Sequence, residues 1–257
     1  MVQKFHYDNK NVLAYNDFGK MDGFPILIEH GTTASINDIG DFGKLSQFAR
    51  IIYIARPGYG ESSPCILQNL LEYGEIVAKL VDELGINEFD AFGGSAGAIY
   101  CYAIAKACYN KIRNIYVYSG TPIFFYEEVK RIFPFPISNE MTVENSQKIA
   151  FDAFYANLSE KEKEQNNVKD SMANSCFGEG QNLRLWCKDW GFTLPEIKAK
   201  VYMQHSKKDE CIPYSMAERT AKLLRNCELE LLEEGNHFSK DGYESFLENT
   251  VIKNLLQ

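Results

Sequence analysis

The sequence predicts an α/β protein with a mostly parallel, doubly wound sheet and a helical insertion. Short apolar runs alternate with amphipathic stretches along most of the 257 residues. This alternation is typical of strands joined by helices that lie on both faces of a sheet. It stops after Gly120 and resumes near residue 196, and the stretch between these points has helical patterns but no strand pattern. That stretch is therefore predicted to be inserted into the sheet-forming core.

The first strands are predicted from two kinds of pattern. Residues 4–19 alternate apolar and polar side chains on either side of an Asp-Asn-Lys-Asn turn, which predicts a hairpin. The segments FPILIEHG and ARIIYIARPG follow, and each contains a short continuous apolar run. Such runs, rich in Ile, favour parallel strands that are buried on both faces.

Residues 67–84 predict the first helix, since their Leu and Val side chains fall largely on one helical face and the acidic side chains mostly elsewhere. Gly85 is the predicted stop of this helix. The segment EFDAFGG then predicts a strand, AGAIYCYAIAKACY a mostly buried helix, and IRNIYVYSG a further strand. The first 120 residues therefore contain repeated strand and helix units.

The same alternation closes the chain. KAKVYMQHS and CELELLEEG predict strands, a helix starting at Pro213 lies between them, and YESFLENTVIKNLL predicts a closing helix. The predicted core comprises residues 1–120 and 196–257, and the predicted helical cap, or lid, comprises residues 121–195. The aromatic side chains of the cap are expected either to line an access route to an apolar pocket or to form the cap's own core: Phe124, Phe125, Tyr126, Phe133, Phe135, Phe151, Phe154, Tyr155, Trp186, Trp190 and Phe192.

Composition disfavours several classes of partner. The chain has 27 basic and 35 acidic residues and a formal net charge of −8, whereas proteins that bind nucleic acid need a basic face. No apolar run reaches the roughly 18 residues that a membrane span needs, and the N-terminus lacks the apolar core of a signal peptide. We therefore expect a small-molecule substrate and neither nucleic acid nor membrane as partner. The oligomeric state is left open.

The seven cysteines show neither CxxC pairs nor a spacing of His and Cys that would hold a metal. This pattern favours free thiols in a reducing cytoplasm, with a structural disulfide or a zinc site as the minor alternative. No metal and no cofactor are predicted. The glycine-rich stretch GGSAGA lacks the third glycine of a dinucleotide-binding fingerprint.

The stretch FGGSAGAIYC, residues 92–101, is the strongest functional signal. It places a Gly-x-Ser-x-Gly pattern between a predicted strand and a predicted helix. Such a turn forces the serine into a strained backbone and lifts its hydroxyl above the end of the strand, and the helix that follows points its amide groups at the same place. Ser95 is therefore a candidate nucleophile, the alternative being a turn of small residues that arose by chance.

A serine nucleophile needs a base, and His237 is the best placed of the four histidines because it follows the last predicted strand in a loop. The base in turn needs an acid that fixes its tautomer. Asp209 follows the preceding predicted strand, and the adjacent Glu210 is its rival. For each residue a purely structural role is the alternative: a surface loop for His237 and a helix cap for Asp209.

Five segments jointly resemble the α/β-hydrolase fold superfamily over nearly the whole chain: EHGTTAS, ARPGYGESS, GGSAGAIY, KKDECIP and EGNHFS. The resemblance implies the order nucleophile, acid, base for Ser95, Asp209 and His237.

The resemblance also implies an oxyanion loop and a cap. His30 and Gly31 match the superfamily's His-Gly oxyanion loop, so that the backbone amides of Thr32 and Ala96 would hold an oxyanion. The segment RPGYGES matches a structural turn and is given no chemistry. The insertion at 121–195 matches the position of the superfamily's cap.

The sequence departs in three places from patterns found among the superfamily's members. Ala55 stands where relatives often carry Asp, which should affect local structure more than chemistry. The sequence Thr-Thr-Ala-Ser follows Gly31 in place of the Gly-Pro of prolyl iminopeptidases, and this lowers the aminopeptidase interpretation. The nucleophile is Ser and not Asp, which disfavours epoxide hydrolase and haloalkane dehalogenase chemistry.

The sequence thus predicts a carboxylesterase-like serine hydrolase that acts on a small or medium, largely apolar ester by an acyl-enzyme mechanism. Two alternatives stay open. One is a slow hydrolase-like receptor for a small molecule. The other is a different reaction of the same fold, such as amide, peptide, lactone, thioester or C–C bond hydrolysis, or perhydrolysis.

Overall fold

The computed structural model describes residues 1–120, 131, 137, 138 and 140–256, without the side chain of Asp41. Its centre is an eight-stranded sheet in the order β1-β2-β4-β3-β5-β6-β7-β8. The strands are β1 (Gln3–His6), β2 (Val12–Gly19), β3 (Phe24–Glu29), β4 (Ala49–Ala55), β5 (Phe89–Gly94), β6 (Ile112–Tyr118), β7 (Lys200–Ser206) and β8 (Cys227–Leu232).

The sheet is mostly parallel, which confirms the predicted fold class. β2 pairs antiparallel with β1 and with β4, and every other neighbouring pair is parallel. The predicted hairpin turn forms because the Asp8 carboxylate accepts hydrogen bonds of 2.7 Å from the amides of Lys10 and Asn11. This turn leaves β1 at one edge of the sheet, while β5 lies in its interior.

Helices follow the strands in the predicted order. They are α1 (Leu70–Glu83), α2 (Gly97–Ala107), α3 (Val143–Phe154), α4 (Glu160–Lys163), α5 (Asn166–Ser171), α6 (Ala173–Trp186), α7 (Tyr214–Leu223), α8 (Lys240–Phe246) and α9 (Lys253–Leu255). The predicted closing helix is interrupted, since a π-helical segment, Leu247–Ile252, lies between α8 and α9.

Each face of the sheet carries its own hydrophobic core, because successive side chains of a strand point to opposite faces. Leu27 and Ile52 pack with α1 and α2 on one face. Ile26, Ile28 and Ile51 pack on the other face with the end of α8 and the π-helical segment. The sheet is thus covered on both sides, as continuous apolar strands require.

Helix α1 begins three residues later than the predicted residue 67. The Asn69 side chain accepts a 3.0 Å hydrogen bond from the Glu72 amide and caps the helix. The Leu67 amide instead donates to the Gln181 side chain at 2.8 Å. Gly85, with φ of 65°, follows the helix end at the predicted stop.

Helices α3 to α6 lie between β6 and β7, where the insertion is predicted. α3 packs against α6. Three consecutive residues near the start of α6, Asn174, Ser175 and Cys176, have left-handed backbones with φ between 52° and 60°, so the segment is sharply kinked. That residues 121–195 form a separate cap domain stays a prediction.

The aromatic residues of this stretch divide into several groups. Phe124, Phe125, Tyr126, Phe133 and Phe135 lie outside the described residues. Trp190 and Phe192 are buried in the core beside α1 and α2, with ring centroids 5.9 Å apart. Phe151 is exposed, and Phe154 and Trp186 face a cavity described below.

Among the described residues, no helix is both long enough and apolar enough to cross a membrane.

The contact between α1 and α2 leaves no room for a side chain at Gly74. A Cβ atom there would lie 2.3 Å from the Ala103 carbonyl oxygen, which is backbone and cannot move aside. We expect Gly74→Ala to lower the free energy of unfolding by about 1–3 kcal/mol, although alanine has the higher helix propensity. Urea denaturation measures the change. Gly40→Ala is the control, because a Cβ atom there would contact nothing. Unchanged or increased stability of Gly74→Ala would contradict this packing.

Candidate active site

Ser95 stands on a sharp turn between β5 and α2. Its φ of 49° is left-handed, a strained conformation for a residue other than glycine. The turn is possible because the chains on either side approach closely: a Cβ atom at Gly97 would lie 2.2 Å from the Glu29 carbonyl oxygen, and one at Gly93 would lie 2.7 Å from the Gly97 backbone. The small residues around the serine are therefore required by packing.

His237 and Asp209 lie beside this serine. The His237 Nε2 is 2.9 Å from Ser95 Oγ, and its Nδ1 is 2.7 Å from Asp209 Oδ2. Because an ionised carboxylate only accepts hydrogen bonds, Nδ1 carries the proton and Nε2 accepts from the serine hydroxyl. The structure thus brings together the three residues that the sequence predicts. Glu210, the rival acid, is exposed.

The Asp209 carboxylate is held from several sides. Its Oδ1 accepts hydrogen bonds of 2.8 Å from the amides of Cys211 and Ile212. Its Oδ2 lies 3.1 Å from His205 Nε2. Burial favours the neutral acid, but the hydrogen bonds from His205, His237 and the Ile212 amide outweigh it and hold the pKa of Asp209 well below its usual range. Asp209 is therefore ionised at neutral pH and oriented toward His237.

The sequence pattern does not indicate a role for His205. This side chain is fully buried at the end of β7, and its Nε2–H donates to the Ile212 carbonyl at 2.8 Å. It thereby fixes both ends of the turn that carries Asp209. Its position four residues before the predicted acid, at a strand end, is the signal that could have indicated it.

The oxyanion loop predicted at His30 and Gly31 lies next to Ser95. A Cβ atom at Gly31 would lie 3.9 Å from the Ser95 Cβ. Burial, together with the nearby charge of Arg56, lowers the pKa of His30 well below its usual value, so the ring is neutral. Its Nδ1–H donates to the Gly31 carbonyl at 2.8 Å, and its Nε2 accepts from the Arg56 amide at 3.3 Å. His30 is thus an internal brace of the loop.

Arg56 is the second functional residue that sequence analysis missed, since its segment was given no chemistry. The buried guanidinium donates to the carbonyl of His30 and, at 2.8 Å, to that of Gly31. It lies 3.8 Å from the Glu29 carboxylate and 4.4 Å from the centre of the Tyr100 ring. Because both carbonyls are bound to the buried guanidinium, Arg56 fixes the backbone orientation of the loop.

The two backbone amides predicted to hold an oxyanion belong to Thr32 and Ala96. Neither amide donates a hydrogen bond to any other residue that the structure describes. Ala96 is buried and directly precedes α2, whose N-terminal dipole favours negative charge at this place. Both amides are therefore available to an oxygen atom bound near Ser95.

The segment that follows the loop is tied to the inserted helices. The Ala34 amide donates to Ser171 Oγ at 2.9 Å, and the Ser35 hydroxyl donates to the Asp170 carboxylate. Thr33 Oγ1 lies 3.1 Å from the Tyr155 hydroxyl and 3.3 Å from a Glu179 oxygen. Helices α5 and α6 therefore form a fixed wall beside the loop.

A cavity of about 660 Å3 opens onto Ser95 and His237. This volume is within the range that holds drug-sized molecules. Its lining is largely apolar and comes from the core and from the inserted helices, and includes Phe42, Phe92, Phe154, Trp186, Ile212 and Phe238. Only a part of the predicted cap aromatics faces it, since Trp190 and Phe192 are used in the core.

One group of potential metal ligands also lies here, although sequence spacing indicated none. Asp209, Cys211 and His237 each offer a ligand atom, and these atoms lie within 4.8 Å of one another. The spacing rules missed them because His237 is 28 residues beyond Asp209 and reaches it only through the parallel pairing of β7 with β8.

The sequence and the structure were compared with those of known proteins. No family model matches the sequence, and no curated protein matches it. Solved structures match the whole chain. The Exiguobacterium antarcticum esterase EaEST is 19% identical with a TM-score of 0.74, and the Bacillus anthracis bromoperoxidase is 15% identical with a TM-score of 0.73; both alignments cover 100% of both chains. An alpha/beta hydrolase fold protein from Chitinophaga pinensis is 19% identical with a TM-score of 0.68, over 99% of this chain and 96% of that one.

The chain has the α/β-hydrolase fold. In this fold, sites collect at the carboxyl ends of the parallel strands. Ser95, Asp209 and His237 follow β5, β7 and β8 in that way. The identities are below 20%, so the comparisons establish the α/β-hydrolase fold and leave the activity to be argued from the residues.

His205 is expected to act as a positioning residue in this α/β-hydrolase fold. Replacing it by Leu removes the donor behind Asp209, and we expect kcat for hydrolysis to fall about 10- to 100-fold, because a misplacement of about 1 Å costs this much. KM should change little, since His205 does not line the cavity. His205→Gln, which keeps a donor, should retain more activity. His6→Leu, at an exposed site, is the control. Wild-type kcat in His205→Leu would contradict the role.

Glu179 is fully buried, and burial raises its pKa to about 8, although the hydrogen bonds from Tyr155 and Thr33 act to lower the pKa. In the unfolded chain its pKa is about 4.3. Between these values the folded chain holds a proton that the unfolded chain has lost, so the free energy of unfolding falls as pH rises from about 4.5 to 8, by roughly 4 kcal/mol at most.

We expect Glu179→Gln to reduce this loss of stability, because the amide does not titrate. Urea denaturation at pH 5 and at pH 8 measures the difference, and Glu83→Gln, at an exposed position of α1, is the control. An equal pH dependence in Glu179→Gln and in the wild type would show that the buried group is ionised throughout.

Proposed function

We propose that this protein is a serine hydrolase that cleaves small or medium, largely apolar esters through an acyl-enzyme. The observation that carries the proposal is the pair of hydrogen bonds, 2.9 Å and 2.7 Å, that joins Ser95 to His237 and His237 to Asp209 beside an apolar cavity. This arrangement of nucleophile, base and orienting acid is recognised by its geometry, whatever the overall sequence.

The first half of the reaction forms the acyl-enzyme. His237 Nε2 takes the hydroxyl proton as Ser95 Oγ attacks the ester carbonyl, and Asp209 stabilises the imidazolium that forms. The amides of Thr32 and Ala96 donate to the oxyanion, each contributing about 3 kcal/mol. His237 then gives its proton to the leaving alcohol as the ester bond breaks.

The second half of the reaction hydrolyses the acyl-enzyme and regenerates the free enzyme. His237 takes a proton from water as the water oxygen attacks the acyl carbonyl, and the same two amides hold the second oxyanion. Collapse of this intermediate releases the carboxylic acid, and Ser95 Oγ regains its proton from His237. No metal or cofactor is part of this sequence of steps.

The apolar lining supports an apolar acyl or alcohol group. Phe238 is 53% exposed. Its ring lies within 3.5–4 Å of the points that a Cβ atom would occupy at Gly31 and Gly94, so it can contact a bound substrate next to the serine. Phe154 and Trp186 come from the inserted helices and face the same space. We therefore propose that residues 121–195 act as a cap on the core of residues 1–120 and 196–257.

The hydrogen-bonded Ser, His and Asp side chains support an enzyme over a receptor that merely binds a small molecule.

All seven cysteines are free, which supports a reducing compartment such as the cytoplasm.

The proposal is tested with p-nitrophenyl esters of increasing acyl length. We expect turnover by the wild type with a preference for acyl chains that fit the apolar cavity, and a loss of at least about 10³-fold in kcat for Ser95→Ala, because the nucleophile is removed. Ser119→Ala is the matched control: Ser119 also follows a sheet strand with left-handed φ, of 48°, and its buried hydroxyl forms no hydrogen bond with any described residue.

Turnover that Ser95→Ala retains would overturn the mechanism. Binding of the esters without turnover by the wild type would instead favour the receptor.

A further inference from the structure

We propose that Asp209, Cys211 and His237 form a binding site for a borderline-soft divalent cation such as Zn²⁺, and that the bound cation inhibits hydrolysis. The first observation is the proximity of three different ligand types. A carboxylate oxygen, a thiol sulfur and an imidazole nitrogen lie within 4.8 Å of one another. These are the three side-chain ligands that zinc uses in proteins.

The distances require only small movements. Zinc bonds of about 2.0–2.3 Å in tetrahedral geometry separate neighbouring ligand atoms by about 3.3–3.6 Å. The 2.7 Å between His237 Nδ1 and Asp209 Oδ2 would widen by roughly 0.6 Å, and the pairs that involve Cys211 would close by about 1.5 Å at most. Cys211 is exposed, so its side chain can rotate.

The surroundings of the site resemble those of a built metal centre. Metal-ligating groups are normally held by hydrogen bonds from a second layer of residues. The Asp209 carboxylate has such a layer, since it accepts from the Cys211 and Ile212 amides and lies 3.1 Å from His205 Nε2. Cys211 and His237 both line the cavity, so a cation can reach them, and the fourth position would face the cavity.

The donor set selects the class of cation. Mg²⁺ and Ca²⁺ need six or more oxygen ligands, and this site offers one carboxylate. Sulfur and nitrogen ligands favour Zn²⁺ and its spectroscopic substitute Co²⁺. Binding breaks the Cys211 S–H bond, and this proton passes to solvent as the metal–sulfur bond forms. The metal–nitrogen bond at His237 Nδ1 displaces the proton from that atom, and Nε2 takes one up, so the imidazole stays neutral and one proton is released in net.

The inhibitory effect rests on the proposed function, whereas the binding does not. A cation on His237 and Asp209 replaces the hydrogen bond that orients the base. It also prevents the imidazole from accepting the Ser95 proton. Hydrolysis therefore stops while the cation is bound and resumes when it is removed. The site thus gives a hydrolase without a metal requirement a response to free zinc.

Binding is tested directly on the purified protein by calorimetric titration with Zn²⁺ and by the near-ultraviolet thiolate-to-metal band that Co²⁺ produces. We expect one Zn²⁺ per chain with wild-type protein, and a Co²⁺ band that disappears in Cys211→Ser. Affinity for Zn²⁺ should fall at least about tenfold in Cys211→Ser. Cys65→Ser, which removes a partly exposed cysteine elsewhere, is the matched control and should bind as the wild type does.

Inhibition is tested as the ratio of ester hydrolysis with and without Zn²⁺, so that each variant is its own reference. We expect at least tenfold inhibition of the wild type at saturating Zn²⁺, full recovery with EDTA, and at least tenfold weaker inhibition of Cys211→Ser. A Co²⁺ band that persists in Cys211→Ser, or the absence of Zn²⁺ binding by the wild type, would overturn the site.

Equal inhibition of Cys211→Ser and of the wild type, or activation by Zn²⁺, would overturn the inhibitory role. If the wild type hydrolyses no ester, the calorimetric and Co²⁺ measurements still decide whether the cation binds. Failure of the proposed function is therefore distinguishable from failure of the site.

Discussion

The close approach of Gly97 to the Glu29 carbonyl is the constraint on which the site depends. A side chain at Gly97 would meet that oxygen at 2.2 Å, so the start of α2 can lie against the end of β3 only because the residue is glycine. This contact forces Ser95 into a left-handed backbone and brings the helix N-terminus to the oxyanion loop. The strain is localised where β5 and α2 are both buried, and their packing sustains it.

Two buried networks hold the groups around this turn. On one side Arg56 donates to the carbonyls of His30 and Gly31, and the next amide, that of Thr32, has no acceptor among the residues that the structure describes. On the other side His205 and two backbone amides fix the Asp209 carboxylate. Arg56 and His205 themselves do not line the cavity. Each converts a flexible loop at a strand end into a support of fixed geometry, which is what catalysis by positioned dipoles and a positioned base requires.

The sequence predicts the parallel sheet and the glycine-rich turn well, because both follow from local patterns. Continuous apolar runs define the inner strands, and small residues surround the serine. The supports behind the site could not be predicted in the same way. Arg56 acts on a loop 25 residues earlier, and Cys211 meets His237 only because β7 and β8 pair in parallel. Likewise, the sequence leaves open whether Trp190 and Phe192 line a pocket or form a core, and tertiary packing buries them beside α1 and α2.

The proposed role of Ser95 is that of an activated nucleophile. Its most direct test is intact-protein mass spectrometry after treatment with a fluorophosphonate, followed by peptide mapping, with His237→Ala measured in parallel. We expect one adduct per chain on the peptide that contains Ser95, formed rapidly in the wild type and much more slowly in His237→Ala. An adduct on another residue, or no adduct on the folded wild type, would contradict the claim.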